Sequence, residues 1–325
     1  MGYTVGLDVG GTNIVCGVLD ETGRLVGTLK RATEAEKGFE HVIERIASMV
    51  LELLAEYGIG KSQVAAVGAG IPGFVDPLRG VVKMAGNLKW TDAPAAAALS
   101  QRLNLPVYID NDVRMYVYGE AAFGAGRGFD VVLGVTVGTG LAAAVVDRGN
   151  LYYGAGYMAG ELGHIRMDGV EYECGCGMTG CLETVASANG IARLARDKAA
   201  AGESPVLAEW FGPDRFGLIT AADVSRAYDE GDPAAIDAMN YAGKMLGRGL
   251  SYAATLYSPD VIVIGGGGAQ AGERLLAPVR AELQRLVHPM YWERLTVRTA
   301  QLPDHAGVAG SAMHAAKRFA AAAGT

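Results

Sequence analysis

A strand, a Gly/Thr turn and a second strand occur twice in this sequence, at residues 3–18 around Gly10-Gly11-Thr12 and at residues 131–146 around Gly138-Thr139-Gly140. Each such hairpin offers backbone N–H groups and a hydroxyl, a combination suited to phosphate oxygens. Short strand-like runs alternate with segments of helical period along the rest of the chain, as when helices cover a sheet. Together these features predict an α/β chain of two domains with a cleft between them, the arrangement of the actin-like ATPase (ribonuclease H-like) fold. At 325 residues there is length for two separate cores.

Residues 3–8 alternate as a strand and place Asp8 at its end, before Gly10-Gly11-Thr12-Asn13 turns the chain into the alternation of Ile14, Cys16 and Val18. Asp8 stands where a carboxylate can hold a hydrated Mg²⁺ rather than touch phosphate directly. A Gly-Gly pair in a single hairpin is equally well explained by turn chemistry alone. The second hairpin is what favours a nucleotide. Residues 39–57 carry Val42, Ile43, Ile46, Met49, Val50, Leu53 and Leu54 at helical spacing, and Gly58 ends them. A strand over 64–70 leads to the rigid turn Ile71-Pro72-Gly73. Residues 86–90 are expected as a loop and 95–103 as a helix.

The strand 107–109 delivers Asp110-Asn111-Asp112 to the start of a helix over 113–122. Ligands of open α/β sheets lie beyond the carboxyl ends of the strands, which favours a chemical role for Asn111 and Asp112. Helix capping is the competing role, since Asn and Asp are favoured caps, and one residue can cap while the other faces the ligand. A helix N-terminus favours an ionised carboxylate, so Asp112 can accept a proton from a substrate hydroxyl during phosphoryl transfer. Such a weak base suffices where catalysis is mainly positioning and charge stabilisation. Arg114 and Lys83 are cations within reach of a phosphate, although no spacing argues for it.

The stretch 160–183 holds three of the four cysteines. His164, Cys174, Cys176 and Cys181 offer an imidazole and three thiolates within eighteen residues, the donor set of a closed structural Zn²⁺ site. Cysteines packed as small hydrophobes are the other reading, and three thiols cannot pair completely as disulfides. A metal here would also draw Glu161 and Glu183 toward one another, anchoring a site whose chemistry happens elsewhere. Helices are then expected over 184–201 and 220–230, separated by a Gly/Pro segment near 210–217. Another begins at Asp232-Pro233, a cap followed by proline in the first turn, and runs to about residue 256. A short apolar strand over 261–264 ends in Gly265-Gly266-Gly267-Gly268, which lets an adenosine lie against the backbone. An Ala-rich helix over 306–323 closes the chain.

Composition narrows the classes. Twenty-eight basic against thirty-five acidic residues give a net charge of -7, with no basic stripe for a nucleic-acid footprint. No apolar run approaches the roughly 20 residues of a membrane span, and the N-terminus lacks the basic-then-apolar pattern of an export signal. A cytoplasmic protein is expected, with its thiols reduced and available to metal.

The in-order set of Leu7-Asp8-Val9-Gly10-Gly11-Thr12-Asn13, Gly70-Ile71-Pro72-Gly73, Ile109-Asp110-Asn111-Asp112, Gly138-Thr139-Gly140, Glu161-Leu162-Gly163-His164 and Cys174-Gly175-Cys176-Gly177 to Cys181-Leu182-Glu183 resembles the ROK family of sugar kinases and repressors, and within it the bacterial glucokinases. The resemblance covers essentially the whole chain. It implies ATP-dependent phosphorylation of a hexose at the 6-hydroxyl, with ATP, Mg²⁺ and a structural Zn²⁺. Carried over by position, Asp112 resembles the base, and Asn111, Glu161, His164, Glu183, Gly73 and Asn87 resemble the groups around the sugar. His164 would give one ring nitrogen to zinc and turn the other to the sugar. The two hairpins and Gly265 to Gly267 resemble the phosphate and adenosine contacts. A small domain of residues 1–115 plus 305–325, a large domain of 116–304 carrying the zinc, and a homodimer are also implied.

Glucose is the sugar the resemblance favours, with fructose, mannose, allose and N-acetylhexosamine left open by these motifs. A sugar-sensing repressor of the same family would carry a helix-turn-helix domain ahead of Asp8, for which the sequence shows no room. A polyphosphate-using kinase or an unrelated actin-like ATPase would leave the cysteine stretch and the sugar-facing residues without a purpose.

Overall fold

The structure, a computed structural model, describes residues 2–302 and 304–324. The chain opens with three strands, β1 (Tyr3–Val9), β2 (Asn13–Leu19) and β3 (Leu25–Ala32), followed by α1 (Phe39–Glu56) and β4 (Val64–Ile71). Three short strands, β5 (Phe74–Asp76), β6 (Val81–Ala85) and β7 (Trp90–Ala93), precede α2 (Ala95–Leu103), β8 (Val107–Asn111) and α3 (Asp112–Phe123). Next come β9 (Val131–Val137), β10 (Leu141–Asp147), β11 (Asn150–Leu151) and the helices α4 (Glu183–Ala186), α5 (Ala188–Ala200), α6 (Pro205–Phe211), α7 (Ala221–Asp229) and α8 (Pro233–Tyr257). The chain closes with β12 (Val261–Gly265), α9 (Glu273–Leu286), α10 (Pro289–Trp292), β13 (Thr296–Thr299) and α11 (Ala306–Ala323). None of the described helices is long and apolar enough to cross a membrane.

Two units emerge. The first comprises Met1–Gly128, Ala144–Ala159 and Gln301–Thr325; the second comprises Phe129–Ala143 and Gly160–Ala300. A boundary after residue 115 falls inside α3, which packs against α11, and the first unit's opening segment runs to Gly128.

In the first unit the sheet order is β3-β2-β1-β4-β8. The first three strands are antiparallel, and β4 and β8 then run parallel to β1. Asp8 of β1 lies beside Gly70 of β4, and Gly70 beside Asp110 of β8. Parallel pairing thus collects three of the predicted motifs at one set of strand ends. All seven apolar residues that predicted α1 are buried in one core with Val5, Leu7 and Val9 of β1.

The opposite face of this sheet is covered by α11. Here the glycines of the strands are a packing requirement: a Cβ on Gly6 would sit 1.9 Å from the Val308 carbonyl oxygen, and one on Gly68 would sit 1.9 Å from that of Ser311. With no side chains in between, Ser311 Oγ reaches the Leu7 carbonyl at 2.9 Å. The carboxylate of the buried Glu120 in α3 accepts from the N–H groups of Ala125, Gln301 and Leu302, fixing where the chain returns for α11.

In the second sheet, of order β11-β10-β9-β12-β13, β12 runs parallel to both β9 and β13. Gly265 pairs with Thr136, so the glycine run leaves the sheet beside the start of the second hairpin.

Local differences from the sequence reading have identifiable causes. The helix expected over 184–201 is broken at Ser187, whose extended backbone and hydroxyl cap α5 through the Gly190 N–H. Residues 86–90 are not a plain loop: Gly86–Leu88 form a 3₁₀ turn, and the buried Trp90 enters β7 to meet Phe39 edge-on at 4.9 Å. The expected separator near 210–217 contains the end of α6, whose N-cap is Ser204 and whose first turn holds Pro205. Strands β3, β5, β6, β7 and β13 escaped the sequence reading because they are short or exposed along one side.

Gly68→Ala is expected to destabilise the protein by about 2–4 kcal/mol, since a new methyl would force α11 off the sheet. Urea denaturation measures this, and an unchanged midpoint would contradict the close packing of α11.

Candidate active site

In the first unit, β1 and β2 meet in a turn closed by Gly10 N–H donating to the Asn13 carbonyl at 2.8 Å. Thr33, fully buried after β3, buttresses that turn by donating its hydroxyl to the Gly10 carbonyl at 2.6 Å and its N–H to that of Thr12 at 2.8 Å. This support leaves Thr12 and Asn13 exposed at the turn. Asn87 is brought to the same place: a Cβ on Gly11 would lie 3.0 Å from that of Asn87.

At the carboxyl end of β8, Asn111 caps α3 and also ties two neighbouring segments together. Its Oδ1 accepts from the Arg114 N–H at 3.1 Å, capping α3, while its Nδ2 donates to the Gly73 carbonyl at 3.1 Å and to Asp112 Oδ1 at 3.0 Å. Gly73 turns through a φ of +93°, and a side chain there would strike the Met84 carbonyl. Asp112 is the first residue of α3, and its Oδ1 also accepts from the Val113 N–H at 2.9 Å, so two donors fix the rotamer. The Asp8 carboxyl is pushed up to about 7, first by burial and then by the negative charge of Asp112. Asp8 near the end of β1 and Asp112 just past the end of β8, on either side of β4, form a place where a cation is electrostatically welcome.

Beneath the junction Asp110 is completely buried, and its carboxylate is surrounded by donors. Oδ1 accepts from the Asn111 N–H and from Arg114 Nε, each at 2.7 Å, and Oδ2 accepts from the Tyr153 hydroxyl at 2.7 Å. Arg114 Nη1 donates to the Tyr157 carbonyl at 2.9 Å. Arg114 is therefore no phosphate ligand: it is itself buried and committed to Asp110. Lys83 is exposed and paired with Asp92 at 2.7 Å. The four-residue spacing of Asp110 and Arg114 is the one sequence signal that could have suggested this pair; nothing in the sequence signalled Tyr153, His314 or their burial.

The second unit gathers the remaining residues. Gly138 N–H donates to the Gly140 carbonyl at 2.9 Å, and the Gly138 carbonyl accepts from the Ala188 N–H at the start of α5, leaving Thr139 exposed. Glu183 Oε2 accepts from the Leu141 N–H at 2.8 Å, close enough to Gly140 that an added Cβ would stand 2.6 Å from it. The turn through Leu162–His164 packs on the same strand end, for a Cβ on Gly163 would meet the Leu141 carbonyl at 2.1 Å. The cysteine stretch is thereby seated against the second hairpin. Where Gly266 and Gly268 leave β12 they press on Val137, the last residue of β9. Beside them is a cavity of about 220 Å³ lined by Ile191, Ser225, Met239, Gly267, Gly268 and Ala271.

His164, Cys174, Cys176 and Cys181 present ligand atoms that all lie within 4.8 Å of one another. Cys176 Sγ and Cys181 Sγ are 3.7 Å apart, and Cys174 Sγ is 3.8 Å from His164 Nδ1. A disulfide needs about 2.05 Å, whereas the edge of a tetrahedron with zinc–sulfur bonds of 2.3 Å is about 3.8 Å. The donor set and its spacing fit a tetrahedral metal ion. His164 Nδ1 faces the thiols, which leaves Nε2 toward Glu161, whose Oε2 is 3.8 Å away. Burial pushes the Cys181 thiol up to about 12, while the Met178 N–H draws the Cys176 thiol down. The fourth cysteine, Cys16, is buried in the first core and its thiol is raised to about 12, leaving it inert.

An antiparallel hairpin leading into parallel strands, with a second Gly/Thr hairpin on the other sheet, defines an actin-like ATPase fold with a cysteine–histidine metal-type cluster. The chain belongs to the ROK family, whose pattern it matches over residues 4–318. It is 36% identical to a glucokinase of Halalkalibacterium halodurans over 310 residues, 95% of this chain and 93% of that protein. A glucokinase of Streptomyces coelicolor is 34% identical over 316 residues, covering 96% and 97% of the two chains. The crystal structure of a ROK family glucokinase from Streptomyces griseus in complex with glucose and AMPPNP superposes with a TM-score of 0.82 at 35% identity, covering 97% of this chain and all of that one.

The raised Asp8 carboxyl binds its proton more tightly in the folded chain than in the unfolded one, so its effect on stability is most favourable below pH 3.8 and is lost as pH rises through about 7. Without nucleotide or metal, Asp8→Asn is expected to be more stable than the parent at pH 8 by about 2–4 kcal/mol, allowing for the solvent a half-buried carboxyl retains. The difference should close near pH 4. Denaturation at the two pH values checks it, and a gap that does not depend on pH would contradict the assignment.

Proposed function

We propose that this protein transfers the γ-phosphoryl group of ATP to the 6-hydroxyl of a hexose, and that the hexose is glucose. The near full-length similarity to glucokinases, one of them crystallised with glucose and AMPPNP, supports the reading. The observation that carries it is the β8–α3 junction, where the Asp112 carboxylate is held by two donors at a helix N-terminus beside the capping Asn111.

In this reading Asp112 accepts the proton of the sugar hydroxyl as its oxygen bonds to phosphorus and the bond from phosphorus to the bridging oxygen of ADP breaks. Asn111, Glu161, His164 and Glu183 hold the remaining hydroxyls, with Gly73 and Asn87 lining the sugar. Gly10, Gly11, Thr12 and Asn13 receive phosphate oxygens from one hairpin and Gly138, Thr139 and Gly140 from the other. Gly265, Gly266 and Gly267 take the adenosine, helped by the cavity beside them. Mg²⁺ bound with ATP would neutralise phosphate charge, and Asp8 would be the carboxylate that holds the hydrated ion.

A structural Zn²⁺ on His164 Nδ1, Cys174, Cys176 and Cys181 would hold the Glu161–His164 turn in place. The imidazole Nε2 is then left to the sugar, an arrangement in which the metal fixes the tautomer of a substrate-binding histidine. The protein is proposed to work in the cytoplasm as a homodimer.

Asp112→Asn should lower kcat by about 10²–10⁴-fold while KM for glucose changes little; turnover near the parent rate in a coupled ADP assay would remove Asp112 from this role. Metal analysis should return one zinc per chain. Cys176→Ser is expected to lose that metal and raise KM for glucose about tenfold or more, the scale of losing a group that orients a ligand. A metal-free parent enzyme with unchanged KM would refute the coupling.

A further inference from the structure

The buried ion pair below the proposed base is larger than capping requires. Asn111 already caps α3, yet Asp110, wholly enclosed, draws in Arg114 from α3 itself and Tyr153 from the segment after β11. His314 of α11 completes the enclosure, its Nε2 standing 3.3 Å from the Tyr153 hydroxyl and 3.8 Å from Asp110 Oδ2. Burial holds the His314 ring below its usual value, and burial together with the charge of Asp110 raises the Tyr153 phenol, so this hydroxyl remains a donor. The Arg114 guanidinium lies 5.4 Å from the centre of the Tyr153 ring, and Tyr153 meets Tyr157 edge-on at 5.7 Å. Tyr157 has a φ of +61°, a conformation that a bulky residue adopts only under restraint, and Arg114 Nη1 grips its carbonyl.

Every donor to Asp110 thus comes from a different neighbour of one short strand end. The Asn111 N–H fixes the backbone next to Asp112, Arg114 fixes the first turn of α3, and Tyr153 fixes both against the segment that follows β11. A carboxylate acting as base needs its oxygen within a few tenths of an ångström of its hydroxyl partner, and a rotation of this turn would move it.

We propose that Arg114 and Tyr153 are positioning residues for the phosphoryl transfer: by clamping the buried Asp110 carboxylate they set where the Asp112 carboxylate stands. The inference rests on the reading of Asp112 as base and adds residues that do not touch the sugar or the nucleotide in that reading.

A double-mutant cycle of Tyr153→Phe and Asp112→Asn on the full chain, with glucose and Mg-ATP, tests it. Tyr153→Phe keeps the ring and loses only the donated hydrogen bond. It is expected to lower kcat about tenfold with KM for glucose within about twofold, and to cost less than about twofold more in the Asp112→Asn background, where no carboxylate remains to be positioned. Arg114→Lys keeps the charge but cannot span both Asp110 and the Tyr157 carbonyl, and the same pattern is expected; it serves if the Phe variant yields no folded protein. Parent-like kcat in the single variant overturns the proposal, as does an equal fold-loss in both backgrounds, the signature of a merely structural role. Parent-like turnover of Asp112→Asn alone is a separate outcome that overturns the underlying reading of Asp112.

Discussion

A carboxylate with no access to water dictates much of the first unit. Asp110 must have its charge answered locally, because an unpaired buried ion costs several kcal/mol. The answer comes from Arg114 one helical turn later and from Tyr153 more than forty positions along, so β8, α3 and the segment after β11 are tied at one point. Asn111 and Asp112, the cap and first residue of α3 and the proposed site residues, are the next two in the chain. Buried ion pairs are weak evidence for stability, and replacing one by apolar residues is often neutral. Here the pair is better understood as fixing a single geometry for a helix start.

Close backbone approach serves the same end on the other side of the sheet. Helix α11 rests directly on Gly6 and Gly68, and Ser311 reaches across to the strand carrying Asp8. The strand ends that carry Asp8, Gly70 and Asp110 are therefore held from beneath by a helix drawn from the far end of the sequence. Long-range contacts of this kind leave little freedom for the loops that follow those strands.

In the second unit the organising element is the thiol and imidazole cluster, which replaces the regular structure that residues 165–182 largely lack. Two of its separations, Cys176–Cys181 at 3.7 Å and Cys174–His164 at 3.8 Å, are those of a zinc-centred tetrahedron's edges, about 3.8 Å. Its neighbours Gly163 and Glu183 abut the first residue of β10, so an ion there would brace the Gly/Thr hairpin as well as the Glu161–His164 turn.

The sequence by itself determined the fold class, both hairpins, the cysteine–histidine cluster and the helices α1, α8 and α11, because each is written in local periodicity, turn chemistry or residue spacing. The cap at Asn111 was legible too, since Asn is a favoured N-cap residue. Only tertiary structure decided that Arg114 serves Asp110 rather than a phosphate, that Tyr153 and His314 belong beside it, that Thr33 buttresses the first hairpin, and that Glu183 reaches the backbone of Leu141. Burial and long-range pairing are properties of the folded chain, and a cation four residues from an acid looks alike in sequence whether it faces water or is sealed beneath a strand end.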